Sequence, residues 1–334
     1  MNYTIRDIAK LTGFSRSTVS RVLTDSPRVD PETRKKILQT IKEINFSPNG
    51  IARSLVKGHT NLIALIIGDI ANPFYAELTK AIEQVLYARG YMIVLCHSNY
   101  ENEKEEKYIE AAKEYNFTGI IMVTATETET LVDKLKTIRC PLVLVNRYLP
   151  SFNTDTVLAD NYKGGYLATK HLIVLGHKHI GHICGPQTST ASEERLRGYK
   201  DAMKGANLYF DESYIFQGNL KKDSGEVYAR YLLDNKKEIT GVFCGNDLMA
   251  SGLIDVFLER GKSIPEDLSV VGYDNSKVAI DSKVKITTVA LSHFDMGKCA
   301  ANLILERLEN KNSPFRQISF NPVLIERNST KALI

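Results

Sequence analysis

The chain has 334 residues, 43% of them hydrophobic and 25% charged, with a net charge of +4. That length exceeds one small domain, and the composition supports a buried core while excluding a low-complexity or disordered chain. The charge is uneven: residues 1–60 carry 11 basic and five acidic side chains, which leaves a small acidic excess for the remainder and gives the amino-terminal segment the electrostatic footprint of a nucleic-acid reader.

The first predicted helix opens at Thr4, which caps it together with Asp7 three residues on, and Ile5, Ile8, Ala9 and Leu11 form its apolar stripe. Gly13 supplies the backbone freedom for a sharp turn, and Ser15 caps a second helix. Val19, Val22 and Leu23 face inward along it, so Arg16, Ser17, Thr18, Ser20 and Arg21 face solvent near its amino-terminal end. A helix-turn-helix presents that end to the major groove, where arginine takes guanine through O6 and N7 and hydroxyls serve base edges or phosphates. Asp30-Pro31-Glu32 then reads as an N-cap with proline at the first helical position, opening a helix packed through Ile37, Leu38, Ile41 and Ile44. Ser47-Pro48 opens a further short helix carrying Ile51, Ala52, Leu55 and Val56, which Gly58 stops.

This block resembles the LacI/GalR family of bacterial transcription regulators. The matching motifs are Asp7-Ile8-Ala9, Ser15 through Leu23, Ser47-Pro48-Asn49 and Ala52-Arg53-Ser54-Leu55. The resemblance implies an operator-binding regulator, a repressor, that acts as a homodimer on near-palindromic double-stranded DNA. It assigns DNA contacts to Thr4, Ser15, Arg16, Ser17, Thr18, Ser20, Arg21, Asn49, Ala52, Arg53 and Leu55, with Leu55 on the position of a wedge between base pairs. The segment from Pro48 to Val56 is shorter than the roughly 12–15 residues an isolated helix needs, so it is expected to fold only on operator DNA.

Beyond Thr60 apolar strands alternate with amphipathic helices. Strands are predicted at Leu62–Ile67, Met92–Cys96, Ile120–Val123 and Leu142–Val145, then at Ile180–Cys184, Tyr214–Phe216, Gly241–Cys244 and Leu268–Val271, with helices between them. Such βα repetition predicts an α/β fold of two doubly wound parallel-sheet lobes, which the family resemblance likens to a periplasmic binding protein. The expected domains are a small all-α helix-turn-helix head over 1–46, a hinge helix and linker over 47–59, and a two-lobed effector-binding and dimerisation domain over 60–334.

Open parallel sheets bind ligands at the carboxyl ends of their strands. Polar residues recur there: Asp69 and Asn72 after the first strand, Asn146 and Arg147 after the fourth, Asn246 and Asp247 after Cys244, and Asp274 and Asn275 after Val271. Each alone reads as a turn former or cap, but their recurrence in both lobes predicts a cleft for a small polar effector. The family resemblance adds Arg195, in Glu193-Glu194-Arg195-Leu196-Arg197-Gly198-Tyr199, as a ligand contact. Likewise it assigns the aspartate of Gly272-Tyr273-Asp274-Asn275 to ligand hydroxyls and Phe74 of Asn72-Pro73-Phe74-Tyr75 to the pocket. Those assignments suit a sugar or sugar derivative, with a carbohydrate-related operon as the target. Leu220 stands where many sugar-responsive members carry a large aromatic, and the chain has no tryptophan, so ring stacking is not expected from that position.

Other chemistries find little support. Cys96, Cys140, Cys184, Cys244 and Cys299 are odd in number and widely spaced, which suits buried thiols rather than disulfides or a metal site. His171, His177, His179 and His182 cluster without a metal-ligand pattern, and Gly261-Lys262-Ser263 follows a helix and has Val256 where a phosphate-binding loop needs glycine. No nucleophile elbow or dinucleotide fingerprint occurs, so neither enzyme, cofactor nor metal is expected. With no export signal or membrane-length apolar run, the expected location is the cytoplasm. The alternatives are a solute-binding or sensor protein of the same body plan, and a family member controlled by a partner phosphoprotein.

Overall fold

The computed structural model describes residues 3–23, 26–46, 60–209, 211–235 and 238–333. Contacts divide the chain into two units, Met1–Thr60 and Asn61–Ile334.

The first unit contains helices α1 (Ile5–Thr12), α2 (Arg16–Leu23) and α3 (Pro31–Glu43). Local chemistry sets their starts. Thr4 and Asp7 form a reciprocal capping box, with Thr4 N donating to Asp7 Oδ2 at 2.9 Å and Asp7 N to Thr4 Oγ1 at 3.3 Å. The Thr4 contacts hold the Asp7 carboxyl below its ordinary range. Gly13 ends α1 at φ +75°, and Asp30 caps α3 by accepting from Thr33 N at 2.9 Å. Ile8, Val19, Val22 and Ile37 are the buried core, with Ile5, Ala9, Phe14 and Ile41 packed around it. Leu11 and Leu38, expected on the apolar stripes, are exposed. In α1 the buried place one turn beyond Ile8 goes to Thr12, whose hydroxyl donates to Ile8 O at 2.7 Å, and Leu11 lies off the packed face.

The second unit is built on two six-stranded sheets. Its strands are β1 (Leu62–Ile67), β2 (Met92–His97), β3 (Gly119–Met122), β4 (Leu142–Val145), β5 (Asp155–Ala159), β6 (Ile180–Cys184), β7 (Ile215–Gln217), β8 (Gly241–Cys244), β9 (Ser269–Asp274), β10 (Thr287–Ala290), β11 (Gln317–Phe320) and β12 (Val323–Ile325). The first sheet has order β11-β5-β4-β3-β1-β2 and is parallel throughout. The second has order β12-β10-β9-β8-β6-β7 and is parallel except for β12, which runs antiparallel to β10. The two expected parallel-sheet lobes are thus present, and β12 adds an antiparallel edge to the second.

Helices α4 (Pro73–Tyr87), α5 (Asn102–Glu114), α6 (Glu129–Lys136) and α12 (His293–Glu309) cover the first sheet, while α7 (Asn161–Val174), α8 (Thr190–Gly205), α9 (Lys222–Asn235) and α10 (Asp247–Glu259) cover the second. A short α11 (Lys277–Asp281) precedes β10. The lobes are therefore interleaved: α12 packs on α4 and on β3, β4 and β5, although it follows β10 of the other lobe. The chain crosses between lobes three times, near Asp160, Leu291 and Asn321. Among the described residues no helix is long and apolar enough to cross a membrane.

Candidate functional site

In the first unit the start of α2 is an exposed polar surface. Ser15 Oγ accepts from Thr18 N at 3.1 Å and lies 2.7 Å from Ser17 Oγ and 2.8 Å from Thr18 Oγ1, so three hydroxyls cluster at one helix amino terminus. Arg16, Ser17 and Arg21 are exposed, Thr18 and Ser20 half-buried, and Val19 and Val22 turn inward. Thr4 is exposed and its hydroxyl bonds Asp7 at 2.6 Å, so its first role is that of a cap. Asn49, Ala52, Arg53 and Leu55, with the whole 47–59 segment, lie outside the described residues.

In the second unit, strand ends from both lobes converge on one cleft. Of the residues expected there, Asn72, Phe74, Asn146, Arg147, Arg195, Leu220, Asn246 and Asp274 line it. Asp69 does not. Its Oδ1 accepts from Ala71 N at 2.9 Å and lies 3.9 Å from His97 Nε2, so it closes a turn beside the cleft instead of facing it.

Two of the lining residues are also caps. Asn72 Oδ1 accepts from Phe74 N at 3.0 Å to start α4, and Asn246 Oδ1 accepts from Met249 N at 2.9 Å to start α10 while its amide donates to Leu220 O at 2.8 Å. The cap reading and the cleft reading of these positions hold together. Phe74 meets Tyr75 and His293 edge-on, at 5.0 and 4.8 Å between ring centroids, so it is both core and lining. Arg195 is set in place by the crossing of α7 and α8. A Cβ at Gly165 would lie 2.2 Å from Arg195 O, and one at Gly198 would lie 2.2 Å from Tyr162 O. Only glycine allows the two helices to approach this closely, and the arginine then lies over the Tyr273 ring at 4.6 Å.

Backbone strain collects around the cleft. Asn99, Tyr100, Asn146, Leu220, Asp274 and Asn275 all have positive φ, and each follows or ends a strand. Holding non-glycine residues there costs on the order of 1–3 kcal/mol each, a cost typical of ligand clamps. Contacts across the cleft draw the lobes together: Lys221 Nζ donates to Asn99 Oδ1 at 2.7 Å, and the Thr190 hydroxyl meets both Tyr148 N and Tyr148 O, at 3.3 and 3.2 Å.

Sequence reasoning missed Tyr75, Tyr100 and Ser189, which also line the cleft. Tyr100 was accessible to the same strand-end rule, since Ser98-Asn99-Tyr100 directly follows β2. Its hydroxyl accepts from that of Tyr75 at 3.3 Å. Behind the loop that carries Asp274 sits Asp247, fully buried and accepting from Ser276 N at 2.7 Å, Ser276 Oγ at 3.0 Å and Thr288 Oγ1 at 2.6 Å. Burial pushes its carboxyl up to about 7, and these hydrogen bonds pull the other way. The folded chain thus binds more protons than the unfolded one between about pH 4 and that value, so stability falls as pH rises through the window. Asp247→Asn should flatten the fall in urea midpoints over this range; an undiminished slope would acquit Asp247.

The histidine cluster serves the fold. His171 meets Thr330 Oγ1, His177 meets Thr240 Oγ1 and Lys331 O, His179 meets the Tyr214 hydroxyl, and His182 meets Phe243 O, all between 2.9 and 3.1 Å. Burial holds the His182 imidazole down at about 3. All five cysteines are free, with Cys96, Cys184 and Cys244 buried.

Comparison with known proteins gives two matches to family models. The periplasmic binding protein-like domain covers residues 169–330, and the lacI family of bacterial regulatory proteins covers residues 4–49. The HTH-type transcriptional repressor PurR of Haemophilus influenzae (strain PittEE) is 34% identical over 99% of this chain and 99% of its own. The HTH-type transcriptional regulator DegA of Bacillus subtilis (strain 168) is 35% identical over 100% of this chain and 99% of its own. The chain belongs to the LacI family. Like those LacI-family relatives it is a DNA-binding transcription regulator and not an enzyme. Among solved structures, a complex of the transcriptional regulator CelR with cellobiose aligns with a TM-score of 0.75 and 31% identity, covering 98% of this chain and 99% of that one.

Proposed function

We propose that this LacI-family regulator is a cytoplasmic repressor of a metabolic operon, working as a homodimer whose affinity for operator DNA is set by a small polar effector. Residues 1–46 form the reading head, 47–59 the hinge that adds Asn49, Ala52, Arg53 and Leu55 to the DNA contacts, and 60–334 the regulatory body. The observation that carries the regulatory half is the cleft, where Asn72, Asn146, Arg147, Arg195, Asn246 and Asp274 bring hydrogen-bonding groups from both lobes to one place. Such a lining suits a hydroxyl-bearing metabolite such as a sugar or sugar derivative, a class in keeping with the cellobiose of the CelR complex. A ligand held by both lobes stabilises one lobe arrangement and so biases whatever that arrangement does to the heads.

The dimer finds support at the edge of the first sheet. Where β1, β3 and β4 are almost wholly buried, β2 leaves Met92 59% and Leu95 40% exposed. An apolar, unpaired edge of this kind is a liability in a monomer and an asset beneath a second copy.

Selection of duplexes from a random pool by the full chain tests the reading. The selected sequences should contain two inverted half-sites, as a two-fold dimer requires. Arg21→Ala should relax base preference at one position per half-site, since a base-directed arginine contributes about 1–3 kcal/mol of discrimination. A single unrepeated half-site would remove the dimer, and an equal loss on specific and unrelated DNA would make Arg21 a phosphate contact.

A further inference from the structure

Three arginines of the second unit are buried, and they are treated very differently. Arg307, 7% exposed, reaches Asp155 Oδ2 through Nε at 2.8 Å and NH2 at 2.7 Å, and spends further donors on the carbonyls of Lys311, Ser313 and Pro314. Arg147 and Arg195, 5% and 4% exposed, lie in the cleft, and among the described residues neither has a carboxylate within the 4.0 Å of an ion pair. Arg147 donates NH1 to Thr124 O at 3.0 Å and lies 6.0 Å from the Tyr100 ring centre. Arg195 lies over Tyr273 with its Nε buried and without a partner.

A guanidinium stays charged at any physiological pH, and burying it without a counter-ion is strongly unfavourable. The nearby acids are poor candidates for that role. Burial, and secondarily the charge of Asp247, pushes the Asp274 carboxyl well above the ordinary range, and burial likewise raises Glu105, which accepts from Thr126 N at 3.0 Å with its other oxygen unpartnered. A neutral polyol would satisfy donors but leave both charges uncompensated. An oxyanion offers what the site lacks, since carboxylates and phosphates accept paired N–H donors from arginine in short, charge-assisted hydrogen bonds.

Resting on the reading of the cleft as the effector site, we propose that the effector is an anion: a metabolite with a carboxylate or phosphate held between Arg147 and Arg195, and a polar body reaching Asn246 and Asp274. Thermal unfolding of the full chain supplies the first test, with inorganic phosphate as the probe against sodium chloride at equal ionic strength. A ligand bound only by the folded state raises the unfolding temperature. Phosphate also stabilises proteins by exclusion from their surfaces, so the readout is the part of the rise that is lost in Arg147→Gln and in Arg195→Gln but kept in Arg89→Gln, an exposed arginine beside Glu309. An equal rise in all four proteins would overturn the proposal. Calorimetry with glucose, glucose 6-phosphate and gluconate, and with other sugars in the same three forms, separates phosphate from carboxylate. Each glutamine variant should weaken the anionic form roughly tenfold to a hundredfold, and the neutral parent by much less. Neutral parents that bind as tightly as their anionic forms would overturn the anionic effector while leaving the cleft as the site. Binding of either form that ignores Asp274→Asn as well as both arginine variants would remove the cleft itself.

Discussion

Asp155→Ala is expected to lower the unfolding free energy of residues 61–334 by about 3–5 kcal/mol, the usual consequence of leaving a buried charge without its partner. Asp155 begins β5 in the first lobe, almost wholly buried, and its two oxygens accept from Arg307 and from Arg316 N at 3.0 Å. Arg307 in turn hydrogen-bonds the loop after α12 and packs under Phe315 at 4.7 Å. One carboxylate therefore ties β5 to α12 and to the segment that returns the chain to β11. Removing it strands the guanidinium among carbonyls and apolar side chains, where water cannot replace the lost charge. Urea unfolding of the full chain measures the effect, and Asp155→Leu combined with Arg307→Met should recover much of it, because a well-packed apolar pair needs no counter-ion. A loss below about 1 kcal/mol in Asp155→Ala would place this pair with exposed ion pairs, which contribute little.

Asp274→Ala is expected to weaken the effector roughly tenfold to a hundredfold, the magnitude of a hydrogen bond to a group of this kind, and to leave effector-free operator affinity unchanged. The separation follows from the architecture. Asp274 closes β9 in the regulatory unit, while the reading surface on α2 belongs to the other unit with its own core of Ile8, Val19, Val22 and Ile37. Calorimetry reports the first quantity and titration of operator DNA the second. Effector affinity unchanged in both Asp274→Ala and Arg195→Ala would require the effector to bind elsewhere.

Much of this molecule was legible along the chain because the signals are local. Thr4 with Asp7, Ser15 and Asp30 mark helix starts by side-chain to backbone bonds spanning three residues, Gly13 ends a helix through its left-handed backbone, and the structure has helices beginning and ending there. The apolar runs Leu62–Ile67, Leu142–Val145, Ile180–Cys184 and Gly241–Cys244 are strands with those same bounds, since strands buried on both faces need apolar residues at every position. At least one polar residue after each of four strands lines the cleft, Asn72, Asn146 with Arg147, Asn246 and Asp274, because parallel strands place their carboxyl ends on the same side; Arg195, Phe74 and Leu220 came from the family resemblance instead.

Folding in three dimensions decided what no local pattern carries. β11 and β12 have only three or four residues, half-exposed, and become strands because β5 and β10 offer them edges; an edge more than 30 residues away leaves no periodicity to read. The interleaving of the lobes has the same origin, as α12, which begins at His293, is assigned to the first lobe by packing on α4, which ends at Tyr87, rather than by its own sequence. Asp155 and Arg307 are ordinary charged residues until the fold buries both. The fate of Asp69, so similar in sequence context to Asn72, turned on a turn hydrogen bond and a neighbouring histidine from β2. Residue type and spacing thus determined which groups could serve the site, whereas their burial, pairing and charge balance came from contacts between distant segments, whose energies depend on what else is excluded from the same space.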